Sequence, residues 1–324
     1  MRSVLTVVCA VLALPAVAGD EPRDWLERMS YALEYLNYEG TLVALQGSDA
    51  AVMRVVHRVE NGVPTERITA MDEVGREIIR RGEEETWILP DQQAVLVEKR
   101  GNEQQGTSPL RRQFAGGLRF DDRYYRLAIA SGGPLLGRNT RVVTVRPTDS
   151  YRYGYRLWLD QATAMPLKVQ IAGDDGVVVE QLLFYTISLP ERIPASAVQP
   201  SVTLESFTWR HSPPAPAAAA GPEGWHVESL PPGFSLQVTR SERAEAIAVP
   251  LDHLIYSDGV ASVSVFIEAG VAVLEQVEGP SRMGAANAYT TVLGGYLITA
   301  VGEVPVSTVE AIARSVRPAV STSR

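Results

Sequence analysis

The sequence predicts an α+β protein, mostly antiparallel β, arranged as two domains. Three observations predict it. Short runs of alternating apolar and polar residues recur along most of the chain, bounded by Gly, Pro, Asn and Asp. The connections between them are too short for parallel returns, and no strand–helix–strand rhythm appears. The stretch His211-Ser-Pro-Pro-Ala-Pro-Ala-Ala-Ala-Ala-Gly-Pro-Glu-Gly224 has too little apolar bulk for a core and reads as a semi-stiff spacer. A chain of 324 residues, 45% hydrophobic and 21% charged, suits two packed domains.

Residues 1–18 read as a signal peptide. Arg2 is its charged start, 4–14 its apolar segment, and Ala16-Val17-Ala18 a small-x-small cleavage site. The only cysteine, Cys9, lies inside it and is preceded by Val8, which does not fit a lipoprotein signal. The exported chain then has no cysteine and holds together by packing alone. The expected domains are 19–210 and 225–324, with 211–224 as linker.

Asp24 and Glu27 fit a capping box for an amphipathic helix with Trp25, Met29, Ala32, Leu33 and Leu36 as its stripe. Strands follow at 41–46, 51–60, 65–71, 76–81, 84–89 and 92–98, punctuated by Asn61-Gly62 and Gly82. Residues 121–130 are a candidate short helix, with Tyr124, Leu127 and Ala128 on one side. Further strands are expected at 141–146, 166–172, 177–188 and 202–210. Among them Ser150-Tyr-Arg-Tyr-Gly-Tyr-Arg-Leu-Trp-Leu-Asp160 is long enough for the middle of a sheet. It sets Tyr151, Tyr153, Tyr155, Leu157 and Leu159 on one face and Arg152, Gly154, Arg156, Trp158 and Asp160 on the other, the second face open to water or a partner. In the second domain, strands are expected near 225–227, 234–239, 251–256, 260–268, 272–278, 286–292 and 296–301, with Ser257-Asp258-Gly259 as the hairpin turn between 251–256 and 260–268. They precede a helix at 305–316. Ser307 and Glu310 are its expected capping box.

The chemistry-bearing residues are sparse. His57, His211, His226 and His253 form no metal-spaced pair, and neither a nucleophile elbow nor a phosphate-cradling glycine loop is present. No enzyme activity, metal or cofactor is expected. His57 reads as a satisfied, partly buried histidine, with pH sensing as the alternative. Without Arg2 the exported chain carries 29 basic and 38 acidic residues, net −9, which disfavours nucleic acid. Against that background 111–146 holds eight arginines and two acids. It is either a solvated basic face or an anion site, with Arg111 and Arg112 as candidates. Trp87, Leu89, Trp158 and Met165 either line an apolar cavity left by a partly covered sheet or belong to a packed core. Tyr256, Phe266 and Tyr289 either anchor a partner or are core.

Several long strings carry a resemblance. In the first domain they are Leu36-Asn-Tyr-Glu-Gly-Thr-Leu42, Met53-Arg-Val-Val-His57, Leu89-Pro-Asp91, 151–160 and Pro166-Leu-Lys168. In the second they are 253–268, Gly284-Ala-Ala-Asn-Ala-Tyr289 and Val301-Gly-Glu-Val-Pro305. They resemble the MucB/RseB family of periplasmic regulators of the extracytoplasmic stress sigma factor. The resemblance implies a lipoprotein-carrier-like incomplete β-barrel covered by helices, then a smaller α+β domain. It implies binding to the periplasmic part of a membrane-spanning anti-sigma factor, protection of that factor from regulated proteolysis, and release by lipid or lipopolysaccharide. A periplasmic carrier of lipid or lipoprotein is the alternative, and a ligand-free envelope scaffold a third reading. Oligomeric state is left open, with a homodimer as one option.

Overall fold

The structure, a computed structural model, describes residues 21–99, 110, 119–211, 224–242, 251–269 and 278–319. The expected signal peptide, Arg111, Arg112, most of the 211–224 spacer and nearly all of the strand expected at 272–278 lie outside these residues.

Helix α1 spans Pro22–Tyr35 and buries Trp25, Leu26, Met29, Ala32 and Leu33. The expected capping box does not form. Proline at the first turn starts the helix earlier, and Glu21 holds the cap position without a side-chain bond. Strands β1 (Tyr38–Gln46), β2 (Asp49–Glu60), β3 (Val63–Ala70), β4 (Glu77–Arg81), β5 (Glu84–Leu89) and β6 (Ala94–Lys99) then follow as an antiparallel meander. The β2–β3 turn requires Asn61-Gly62, because both residues have positive φ, 52° and 77°.

Next come β7 (Tyr125–Ser131), β8 (Thr140–Pro147), β9 (Gly154–Asp160), β10 (Pro166–Ala172), β11 (Val178–Ser188) and β12 (Thr208–His211). The twelve strands form one sheet in the order β12-β6-β5-β4-β3-β2-β1-β11-β10-β9-β8-β7. It ends in two edges and does not close into a barrel.

Two expectations are corrected here. The candidate helix at 121–130 is a turn followed by β7. Tyr125, Leu127 and Ile129 point inward at period 2, and the pairing with β8 overrides the weak helical spacing. The strand expected at 202–210 shortens to β12, which runs parallel to β6. Residues 189–207 are instead used to cross the outer face, where Ile193 and Val198 pack on Val56.

The strand expected at 150–160 begins only at Gly154, because residues 148–152 bend and carry Arg152 into a fully buried position instead of the open face. Within β9, Tyr155, Leu157 and Leu159 enter the core while Arg156 and Trp158 face away. That core lies between α1 and the inner face of the sheet, with Tyr38, Leu42, Val143, Val169 and Phe184 from other strands. Leu157, Leu159 and Val169 are fully buried. Each such side chain contributes about 1.5–3 kcal/mol on leaving water.

The second unit begins with β13 (Trp225–Val227). It continues through β14 (Ser235–Glu242), β15 (Leu251–Ser257), β16 (Ser262–Ala269), β17 (Gly279–Met283), β18 (Ala286–Leu293) and β19 (Tyr296–Gly302). Strands β14 to β19 make a six-stranded antiparallel sheet in the order β14-β15-β16-β19-β18-β17. Helix α2 (Val306–Arg314) covers one face, burying Val309, Ile312 and Ala313 against Val263, Val265, Ile298 and Ala300. Then β20 (Val316–Pro318) returns to pair with β13. The expected Ser307 cap is absent, since Pro305 occupies that position. Among the described residues, no helix is long and apolar enough to cross a membrane.

Candidate functional site

The candidate site is the junction between the two sheets, and it is built by the alternation of β7 and the bend that leads into β9. Tyr125, the first residue of β7, turns inward, and its hydroxyl donates to Asp258 Oδ2 at 2.8 Å. Arg152 lies in the bend before β9. Its guanidinium donates to the same Oδ2 at 2.8 Å and to the carbonyl of Pro232. Its Nε lies 3.2 Å from Asp149 Oδ1, an ion pair without hydrogen-bond alignment. The Arg152 and Asp258 side chains are both fully buried. The guanidinium carbon sits 4.7 Å from the Tyr124 ring centre and 5.3 Å from that of Phe234, one ring from each unit. A cation removed from water is thereby met by a carboxylate, a carbonyl and aromatic faces, which together offset its desolvation.

Asp258 is also held by its own turn. It opens the Asp258-Gly259 turn, and its Oδ1 accepts the N–H groups of Val260 and Ala261 at 2.9 and 2.7 Å. The local turn leaves Oδ2 free for the other unit. Gly233, with φ +87°, lies so close to Tyr124 that a Cβ would stand 2.5 Å from the ring. Around this centre, Asn287 donates to Tyr153 Oη at 2.8 Å and to the Val304 carbonyl at 2.7 Å. Thr308 donates to the Tyr151 carbonyl at 2.8 Å. Burial, reinforced by the Asp258 carboxylate, pushes the Tyr125 phenol far up, and burial also raises Tyr153 and Tyr155. All three are neutral hydrogen-bonding groups at physiological pH.

A second polar cluster lies on the inner face of the β1–β5 half. His57 is fully buried, stacks on Tyr38 with ring centres 4.7 Å apart, and donates through Nδ1 to the Leu36 carbonyl at 2.8 Å. Tyr38 donates to Glu66 at 3.3 Å, and Glu85 is buried on the same face. No group of three or more metal-binding side chains occurs among the described residues.

The sequence-predicted positions do not converge. Cross-strand register places Trp87 and Leu89 on the inner face with Ile68 and Ile78, and Trp158 on the outer one. Met165 lies in the turn before β10 and is fully buried in the core. These four residues therefore do not line one pocket, because alternation separates neighbouring strand positions by the thickness of the sheet. Tyr256 and Tyr289 are core residues of the second unit, not exposed anchors. Tyr256 accepts the Val227 N–H at 3.2 Å, and Tyr289 lies under the Arg314 guanidinium. Only Phe266 is partly accessible; it stacks on His253 on the sheet face away from α2. The sequence reading missed Tyr125, Asp258 and Asn287. Only the Asp-Gly turn signal pointed to one of them.

The fold and junction define a mostly antiparallel β protein of two units joined through buried polar contacts. Residues 21–202 match the model of the MucB/RseB N-terminal domain, and 219–317 that of the MucB/RseB C-terminal domain. The chain belongs to the MucB/RseB family. It is 29% identical over 323 residues to the sigma factor AlgU regulatory protein MucB of Pseudomonas aeruginosa, covering 98% of this chain and 97% of that protein. It is 25% identical over 320 residues to the sigma-E factor regulatory protein RseB of Escherichia coli, covering 97% and 96%. Among solved structures, MucB in complex with MucA(peri) superposes with a TM-score of 0.69 at 27% identity, covering 92% of this chain and 99% of that one. A crystal structure of MucB gives 0.59 at 25% identity, covering 91% and 97%.

Proposed function

We propose that this protein is an exported regulator that binds the periplasmic part of a membrane-spanning anti-sigma factor. In this reading it shields that factor from regulated proteolysis and releases it when lipid or lipopolysaccharide binds. The observation that carries the reading is near-full-length similarity, through both units, to a MucB crystallised with MucA(peri). Residues 19–210 and 225–324 are then the working units, with 211–224 between them. The junction is the two-state element. A ligand that favours one arrangement of the units shifts the population only by its differential affinity for the two. The exposed part of Phe266 is the candidate partner contact, and Trp87 with Leu89 the candidate lipid contact.

The test is co-purification of the protein with the periplasmic segment of its host's anti-sigma factor, with and without lipopolysaccharide fragments. A complex that the lipid dissolves is the expected result. A complex indifferent to lipid removes the release step. Tight lipid binding with no complex favours a carrier instead. A disulfide engineered across the junction should block lipid-driven release; unaltered release refutes movement between the units.

A further inference from the structure

The outer face of β7 to β10 carries cations with no acidic partner. Many arginines elsewhere pair, as Arg54 with Glu39, Arg76 with Asp91 and Arg123 with Asp121, while Arg28, Arg192, Arg210 and Arg282 are scattered cations without an ion pair among the described residues. Among the described residues Arg126, Arg146, Arg156 and Lys168 make no ion pair, in a chain of net charge −8. Register places them on one line. Arg126 lies directly opposite Arg146, Arg156 is opposite Thr144 on the next strand, and Lys168 is opposite Trp158 on the one after. The line runs obliquely over four strands for roughly 20 Å, at ~4.8 Å per strand and ~3.3 Å per residue. Like charges directly across a ladder are unfavourable, a cost that Arg126 eases in part by donating to the carbonyls of Asp122 and Tyr125. Trp158, half-buried, completes the face, with Lys168 4.6 Å and Arg156 5.9 Å from its ring centre.

We propose that this face docks on an anionic bilayer surface. The inner strands β8, β9 and β10 are hydrogen-bonded on both sides, so an extended acidic peptide would find no backbone edge to pair with there. What the face offers is a plane of long cationic arms around one tryptophan, the combination that settles at headgroup depth. The face also holds a hollow of about 350 Å³ lined by Arg146, Gly154, Arg156 and Gln170 and equally by Asp174 and Asp175. The rest of the acidic molecule is repelled by the same membrane, so docking fixes which side faces the lipid.

This inference stands apart from the anti-sigma reading, and its test uses neither that partner nor lipopolysaccharide. The purified protein is sedimented with vesicles of phosphatidylglycerol and phosphatidylcholine in equal parts, and with phosphatidylcholine alone, at 50 mM and 300 mM salt. Binding is expected only to the anionic vesicles and should weaken steeply at the higher salt. Each cation near such a surface contributes roughly a fivefold factor in partitioning. The triple variant R146Q/R156Q/K168Q should thus bind about 100-fold more weakly, while R76Q/R314Q binds as the parent does. Because a bilayer reads charge, R146K/R156K should retain binding. Failure of the parent to sediment at low salt, or undiminished binding by a folded triple variant, overturns the proposal. So does loss of binding in the lysine variant, or abolition by millimolar inorganic phosphate at constant ionic strength, either of which would mark a discrete anion site instead. Selective binding of a glutamate-rich peptide with none to vesicles would reassign the face to an acidic protein.

Discussion

Replacing Asp258 by Asn tests the junction directly. The substitution keeps the shape and removes the charge that faces Arg152 at 2.8 Å in a fully buried setting. Breaking one partner of a buried pair costs about 3–5 kcal/mol, because the other charge stays buried and uncompensated. Asp149 remains 3.2 Å from Arg152 Nε, which argues for the lower end, about 3 kcal/mol. That is a factor of more than ~100 in the ratio of closed to open junction. Arg152→Met should cost less, about 1–3 kcal/mol, since Asp258 keeps the Tyr125 hydroxyl and two backbone N–H groups. The double variant should lose less than the sum of the two, by about 2 kcal/mol. Urea denaturation read by tryptophan fluorescence, with tryptic cleavage of the native state, measures all three variants. Splitting of unfolding into two steps in D258N would reflect uncoupled units. A loss under ~0.5 kcal/mol with additive single effects would refute the view that this pair couples the two sheets.

Two further outcomes follow from the same geometry. Gly233→Ala should destabilise the junction by about 2 kcal/mol or more, since a positive φ and a 2.5 Å approach to Tyr124 both oppose a side chain; a melting temperature equal to the parent's would contradict the packing described. Asp121 is held at about 2, below its usual 3.8, by the hydrogen bond from Arg123. Its folded value is depressed, so its contribution to stability is complete above 3.8 and is lost as pH falls through about 2. Arg123→Gln should return the carboxyl towards 3.8, as NMR titration would report.

What the sequence by itself determined was local. Period-2 alternation assigned the faces of β9 correctly, and Asn61-Gly62 located a hairpin, because strand pleat and positive-φ turns act within a few residues. Turn chemistry also identified Asp258-Gly259 as a bend. Tertiary structure decided the rest. Residues 121–130 carry both a helical spacing and a strand alternation, and pairing with β8 chose between them. Strand alternation alone groups Trp87 with Trp158 on one sheet face, and only the register of the whole sheet shows that they lie on opposite faces. Tyr256 and Tyr289 read as candidate anchors until α2 and the paired strands enclosed them. The Arg152–Asp258 contact joins positions 106 residues apart. No spacing encodes it, since it arises only where the bend before β9 meets a turn of the other sheet, and burial there gives the two charges their strength.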